Sequence, residues 1–355
     1  MGFPEAPQEG NPEFALQQLS EFKKKFDPVL EGFLDNELEA AANIRSELID
    51  VLKVGKEFVL NGGKRLRPAF LYFGYRAAGG QDEISILRSG CSVELIHAGA
   101  LIHDDIIDNS DLRRGNPTVH KVLGNPLAIL TGDTIAALAG KALNSFPAPD
   151  DRLRFAKQYF DQMCIEINFG QYLDVLAGSS DQVDVDWVMK IMRYKTAGYT
   201  VEKPLLIGAA LGGASREVLE QLSRYALPLG TAFQLQDDIL GMFGNAEKVG
   251  KPVDSDLKEG KKTVLIIKTR EKLLQMGRSD DLRRLDSISG KPDLTSDDYL
   301  WVQSLIIESG SLEYCRDLAK ALITSSKESL EGVNIDLDPK QYLLGIAEYM
   351  LAREY

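Results

Sequence analysis

The stretch His103-Asp104-Asp105-Ile106-Ile107-Asp108, followed shortly by Arg113-Arg114-Gly115, decides how this chain is read. Asp104 and Asp108 are four residues apart, so on a helix their carboxylates lie one turn apart on the same face, with Asp105 flanking them. No cation within the stretch neutralises that face. Three acids around Ile106 and Ile107 make a poor solvated surface but a good site for a hard divalent cation. Such ions take oxygen ligands and keep waters and substrate phosphates in the remaining positions. Arg113 and Arg114 add planar forks suited to phosphate oxygens. Acids for metal and arginines for phosphate, within one short segment, point to a metal-bridged diphosphate site.

A second acidic pair lies in Phe233-Gln234-Leu235-Gln236-Asp237-Asp238-Ile239-Leu240-Gly241. One such pair on a helix is as readily a solvated face as a site. Two pairs, each preceded by apolar helix and trailed by cations, are harder to dismiss. With Gly62-Gly63-Lys64-Arg65-Leu66-Arg67-Pro68 added, the pattern resembles the trans-type polyprenyl diphosphate synthases, and geranylgeranyl diphosphate synthases in particular. The resemblance runs from about Val51 to Thr263.

Composition agrees with a soluble helical enzyme. The 355 residues, 44% of them hydrophobic, suffice for a sizeable core, and the net charge of −12 lacks the basic surface on which nucleic-acid binding depends. Cys91, Cys164 and Cys315 are far apart and without CxxC spacing, which argues against a zinc site or a disulfide framework and fits a reducing cytoplasm. No run of about 18 uncharged apolar residues reads as a membrane span. Residues 1–14 carry prolines and no Lys or Arg, and read as a mobile tail rather than a signal peptide.

From residue 15 to 355 the chain reads as one all-α domain of roughly ten or more helices, with sites built between facing helices around a central cavity. Helices are expected over residues 14–34, 36–60, 68–78, 84–108, 126–143, 153–177, 187–211 and 218–243. Those at 68–78 and 84–108 are apolar almost all round and should be central. The polar stretch from Gly244 to Gly260, with Lys251, Asp254, Asp256 and Lys258, reads as a loop over a site, and Ser279 to Ser296 as the most linker-like segment.

The resemblance implies a reaction and a division of labour. An allylic diphosphate (dimethylallyl, geranyl or farnesyl) ionises, isopentenyl diphosphate attacks the carbocation, and a proton is lost. The departing diphosphate takes that proton, which accords with the lack of a poised acid–base pair. It implies three Mg2+ ions, two on Asp104 and Asp108 with Asp105 supporting, and one on Asp237 beside Asp238. Arg113, Lys195, Thr196, Gln234, Lys251 and Lys261 would surround the allylic diphosphate. Lys64, Arg67, His97 and Arg114 would hold isopentenyl diphosphate, and Gln171 and Asp174 would face the cavity. His103 is left structural. The family's usual homodimer is implied as well.

Two departures stand out: Gly241 replaces an aspartate that many relatives carry, and Asp254 replaces a glycine. Small Gly99 and Ala100, one turn before Asp104, should let the product grow past fifteen carbons. Ile96 and Val93, or side chains near Phe169 and Tyr172, would then floor the tunnel, with a twenty-carbon main product expected. A class I terpene cyclase would have little use for Lys64, Arg67 and Arg114. A non-catalytic regulatory subunit would show an eroded first acidic motif.

Overall fold

Gly90, Val93, Leu95 and Ala98 are buried on successive sides of one helix, as expected of an element wrapped by others. In the computed structural model, which describes residues 10–244 and 255–352, this helix is α4, Glu83–Ile107, begun by an Asp82 cap on Ser85 N. Before it come α1 (Pro12–Ala42), α2 (Glu47–Leu60) and α3 (Leu66–Ala77). After it a hairpin of β1 (Leu112–Arg113) and β2 (Asn116–Pro117) leads to α5 (Val119–Leu123) and α6 (Asn125–Asn144). Then follow α7 (Asp150–Gly178), α8 (Val185–Ile191), a π-helical segment (Met192–Glu202), α9 (Lys203–Gly212) and α10 (Arg216–Phe243). The remaining helices are α11 (Ser255–Lys258), α12 (Val264–Gln275), α13 (Ser279–Ile288), α14 (Ser296–Glu308), α15 (Ser311–Glu328) and α16 (Leu337–Ala352). A single hydrophobic cluster extends from Ala15 in α1 to Met350 in α16.

Several expected boundaries move for local reasons. Helix α1 starts at Pro12, inside the expected tail, because Pro12 suits the first helical turn and Asn11 Oδ1 accepts from Phe14 N at 3.1 Å. Ser279 to Ser296 is not simply a linker: residues 279–288 form α13, whose Leu285 and Ile288 are buried. The expected helix 187–211 is broken into α8, the π segment and α9, a change of winding that hydrophobic periodicity does not reveal. The loop after Ile107 contains a two-residue hairpin in which Arg114 (φ 52°) and Gly115 (φ 78°) both take left-handed backbone, as a type I′ turn requires.

Arg65 ties this end of the bundle together. Its side chain is only 1% exposed and donates to Asp27 (2.9 Å), Glu94 (2.5 Å) and the Val59 carbonyl (3.1 Å), linking α1, α4 and the end of α2. Burial opposes its charge, but Glu94 and Asp27 more than compensate and hold it protonated. Removing one member of a buried pair strands the other, at a cost of about 3–5 kcal/mol. Glu94→Ala is therefore expected to lose about that much stability in chemical denaturation, and a change below 1 kcal/mol would refute the anchoring role.

Candidate active site

The first acidic motif occupies the C-terminal end of α4, where backbone carbonyls already favour cations. Asp108 is the C-cap residue, and Asp104 lies one turn earlier. Gln171 of α7 donates to Asp104 at 2.7 Å, and Lys195 Nζ approaches it at 3.5 Å. Asp105 points elsewhere: it is fully buried, and Oδ1 accepts from Arg113 Nε (2.7 Å) and lies 2.6 Å from Arg113 Nη2. Desolvation and the adjacent Asp104 carboxylate push Asp108 up to about 6.

The second acidic motif is on α10, and the π segment links it to the first. Lys195 Nζ sits 2.5 Å from Asp174 of α7, while Thr196 donates to Gln234 at 2.8 Å and Gln234 donates to Asp238 at 2.8 Å. Glycine makes these approaches possible. A Cβ at Gly170 would stand 2.5 Å from Lys195 N, and one at Gly230 would stand 2.5 Å from the Ala197 Cα, so both neighbouring helices press on the π backbone. Asp238 is buried and pushed up to about 7, first by desolvation and then by Asp256. Asp237 is half-buried beside it. Lys261, 3.7 Å from Asp256, is raised above the usual lysine range because Asp256 and Asp238 outweigh its burial. Asp256 Oδ2 would lie 2.8 Å from a Cβ at Gly241, so part of the room for a side chain at this departure is already taken by a carboxylate.

A basic group gathers further back along α4. His97 Nδ1 lies 2.6 Å from the Tyr199 hydroxyl, Arg67 donates to Thr200 Oγ1 at 2.8 Å, and the Arg67 guanidinium lies 4.4 Å from the Tyr199 ring centroid. Burial, then the charges of Arg67, Arg114, Arg113 and Arg65, hold His97 well below the ordinary histidine range, so it is neutral. Burial keeps the Tyr199 phenol protonated. A Tyr199 hydroxyl donating to Nδ1 leaves the Nε2–H of His97 as a donor. Arg114 donates to the Asn61 carbonyl at 2.7 Å, and Lys64 to the Tyr349 hydroxyl of α16 at 3.2 Å. Arg113 and Arg114 also line a groove of about 760 Å³ against α2, a groove that none of the motif aspartates borders.

Some expectations change. Arg113 spends two of its nitrogens on Asp105, so it positions the hairpin as well as offering charge. Gly99 does not border open space: a Cβ there would meet the Gly132 carbonyl at 3.0 Å and Ala136 at 3.5 Å, both on α6. Ala100, about 100° further round the helix, is partly exposed, whereas Ile96 is buried. Phe169 and Tyr172 are 53% and 65% exposed on the outer side of α7 and do not close a cavity within this chain. Lys251 and Asp254 lie outside the described residues. His103 packs over Gly132, with Nε2 3.2 Å from the Ile129 carbonyl, in keeping with a structural role. Sequence reasoning missed Tyr199, Thr200, Tyr349 and Glu94. Tyr199 and Thr200 follow Lys195 and Thr196 by four residues, a spacing that would have found them; Tyr349 had no such signal.

Among the described residues no three His, Cys, Asp or Glu side chains form a preassembled metal cage. The donor set nevertheless fits magnesium, which is commonly held by one or two carboxylates with substrate phosphates and waters completing its octahedron. Asp104 with Asp108, and Asp237 with Asp238, offer such carboxylates, and the raised proton affinities of Asp108 and Asp238 mark charge that a cation would relieve. Protons and metal compete for them, so divalent-ion affinity should rise as pH passes through about 6 to about 7. In the metal-free protein, an acid raised to about 7 costs stability as pH climbs through that value. Asp238→Asn should therefore raise the melting temperature at pH 8, with the gain shrinking towards pH 5. A pH-independent difference would contradict the assignment.

Comparison with known proteins agrees with this geometry. The family model described as Polyprenyl synthetase matches residues 50–298. A geranylgeranyl diphosphate synthase of Methanosarcina mazei is 37% identical over 306 residues, covering 86% of this chain and 90% of that protein. A geranylfarnesyl diphosphate synthase of Aeropyrum pernix is 35% identical, covering 82% and 91% respectively. A crystal structure of a geranylgeranyl pyrophosphate synthase from Corynebacterium glutamicum, complexed with isoprenyl diphosphate and magnesium, superposes with a TM-score of 0.89 at 31% identity, covering 95% of this chain and 99% of that one. With its two acidic motifs linked through the π segment and a family match over most of its length, this chain belongs to the polyprenyl synthetase family.

Proposed function

We propose that this protein is a magnesium-dependent prenyltransferase that condenses isopentenyl diphosphate with allylic diphosphates, giving chiefly geranylgeranyl diphosphate. The observation that carries this reading is the juxtaposition of Asp104 with Lys195, and through the π segment with Gln234 and Asp238, two turns along α4 from a separate basic group centred on His97. The first cluster suits an allylic diphosphate with its metal ions and the second suits isopentenyl diphosphate. Bound magnesium would neutralise the diphosphate oxygens as the carbon–oxygen bond breaks. Lys195 and Lys261 add fixed charge to the leaving group, and Gln171 and Gln234 orient the carboxylates. His97, Arg67, Arg114 and Lys64 would hold isopentenyl diphosphate so that its double bond attacks the allylic carbon, after which its proton passes to the departed diphosphate. The intact basic group favours elongation over cyclisation.

A single domain over residues 15–355, a cytoplasmic location and a homodimer complete the proposal. Ile165, Phe169, Tyr172 and Leu176, spaced along one side of α7, are each about half exposed or more, as are Ile129 and Leu130 of α6. Helix α6 is long and apolar enough to cross a membrane by composition alone, with 39% of its most apolar window buried. A second copy of the chain covering both helices accounts for this apolar surface better than a membrane does, since α6 is packed along α4. The three cysteines are free, with the Cys91 and Cys315 thiols pushed up to about 12 by burial.

With magnesium, labelled isopentenyl diphosphate and farnesyl diphosphate, the protein should give a twenty-carbon main product, whereas Asp104→Ala should lose at least ~10² to 10³ in rate with native circular dichroism. Near-normal turnover by Asp104→Ala would sink the mechanism. Ala100→Phe should shorten the product to fifteen carbons or fewer; an unchanged distribution in a folded variant would show that growth does not pass this residue. Phe169→Glu should shift the sedimenting species from dimer towards monomer, and a parent that sediments as a monomer would overturn the proposed assembly.

A further inference from the structure

Four elements meet at a set of charged side chains that belongs to neither the acidic nor the basic group of the site. Lys203, the first residue of α9, is 9% exposed, and Glu202, the last of the π segment, is 7% exposed. Lys203 Nζ lies 2.8 Å from Glu202 Oε2 and 3.2 Å from Oε2 of Glu166 on α7. The other two carboxylate oxygens are taken as well. Ser223 of α10 donates to Glu202 Oε1 at 2.5 Å, and Gln162 donates to Glu166 Oε1 at 3.0 Å. Both carboxylates converge over Gly198, where a Cβ would stand 3.5 Å from Glu166 Oε2 and 3.7 Å from Glu202 Oε2.

A buried ion pair is often no more stabilising than apolar residues of similar volume, because desolvation offsets the Coulombic gain. What a network with every oxygen partnered does supply is stiffness and direction. The π segment needs both. Winding of this kind is rare and mostly confined to single turns, yet here it runs over 11 residues. It ends where Lys203 N donates to the Gly198 carbonyl, five residues back, and Pro204 then has no N–H to give. The near end, with Lys195 and Ala197, is pinned by the close approaches of Gly170 and Gly230. Tyr199 and Thr200 lie beyond those contacts, within the turn that the charged network closes, and they are the residues that meet His97 and Arg67.

We infer that Lys203 is a positioning residue: with Glu166, Glu202 and Ser223 it locks the far end of the π segment between α7 and α10, so that Tyr199 and Thr200 hold His97 and Arg67 in place. The kinetic consequence rests on the prenyl-transfer reading above, while the effect on the π segment does not.

The test compares the full chain with Lys203→Met and with the triple variant Glu166→Met, Glu202→Met, Lys203→Met. The single change strands two facing carboxylates and should lower the denaturation midpoint, whereas the triple removes every charge at once and should recover that loss. In both variants the KM for isopentenyl diphosphate should rise about fivefold, the effect of one ordinary hydrogen bond, and the KM for the allylic primer should stay unchanged. A network that only stabilised the fold would change the fraction of active protein, and so kcat alone. Amide hydrogen exchange over residues 192–203 should quicken in the triple variant while that of α4 does not. This measurement reads the clamp even if the parent forms no prenyl product. Unchanged exchange over that segment, an unchanged KM for isopentenyl diphosphate, or equal rises in both KM values would each overturn the inference.

Discussion

Carboxylates held close together away from water repel one another, and the arrangement of this protein depends on tolerating that repulsion. Asp104 and Asp108 at the end of α4 and Asp238 on α10 face a common region with few donors: Gln171, Lys195, Gln234 and Lys261. Burial first, and then a neighbouring carboxylate, Asp104 for Asp108 and Asp256 for Asp238, raises the proton affinity of each. An ordinary core would replace such groups with apolar ones and gain stability. Keeping them makes sense where a multiply charged anion and its cations arrive together, because each then relieves the charge that the other would leave exposed.

The other half of the site has the opposite sign and shares the same helix. His97 and Asp104 are seven residues apart on α4, two turns and ~10 Å along one face. A rigid helix thus sets the spacing between a basic group and an acidic one, and neither depends on a flexible loop for its position. The π segment performs the corresponding task opposite α4. Lys195 and Thr196 reach the acidic half, while Tyr199 and Thr200 reach the basic half. Wider winding is costly in isolation, and here it is held by close backbone contacts at Gly170 and Gly230.

How much of this was legible in the sequence follows from the range of each interaction. The helical class and the central position of α4 are local patterns, and they survive intact; the two acidic motifs are local patterns too, and the structure sets them at the end of α4 and on α10. The resemblance singles out Arg114 and Lys64 as cations, but their anchors, the Asn61 carbonyl and Tyr349, were not legible, since contacts across 53 and 285 residues leave no mark on spacing. The π winding was hidden because apolar periodicity over a buried helix has no polar face to lose phase against. Gly99 misled for a related reason: a small residue before an acidic motif suits an open tunnel and a close helix crossing equally well, and the crossing with α6 is what the fold uses. Phe169 and Tyr172 looked like a tunnel floor by size and proximity, whereas their outward direction on α7 is a tertiary fact.

The central claim is that metal and diphosphate bind as one unit because the protein supplies carboxylates without a complete metal cage. Titrating Mg2+ calorimetrically into the protein at pH 8, with and without an unreactive thiolo analogue of farnesyl diphosphate, tests this most directly. Linkage requires that analogue and metal strengthen each other's binding by the same factor. Metal binding that is weak alone and tightens at least about a hundredfold with the analogue is the predicted result, at the upper end of ordinary coupling. Equal Mg2+ affinity in the two titrations would contradict the account.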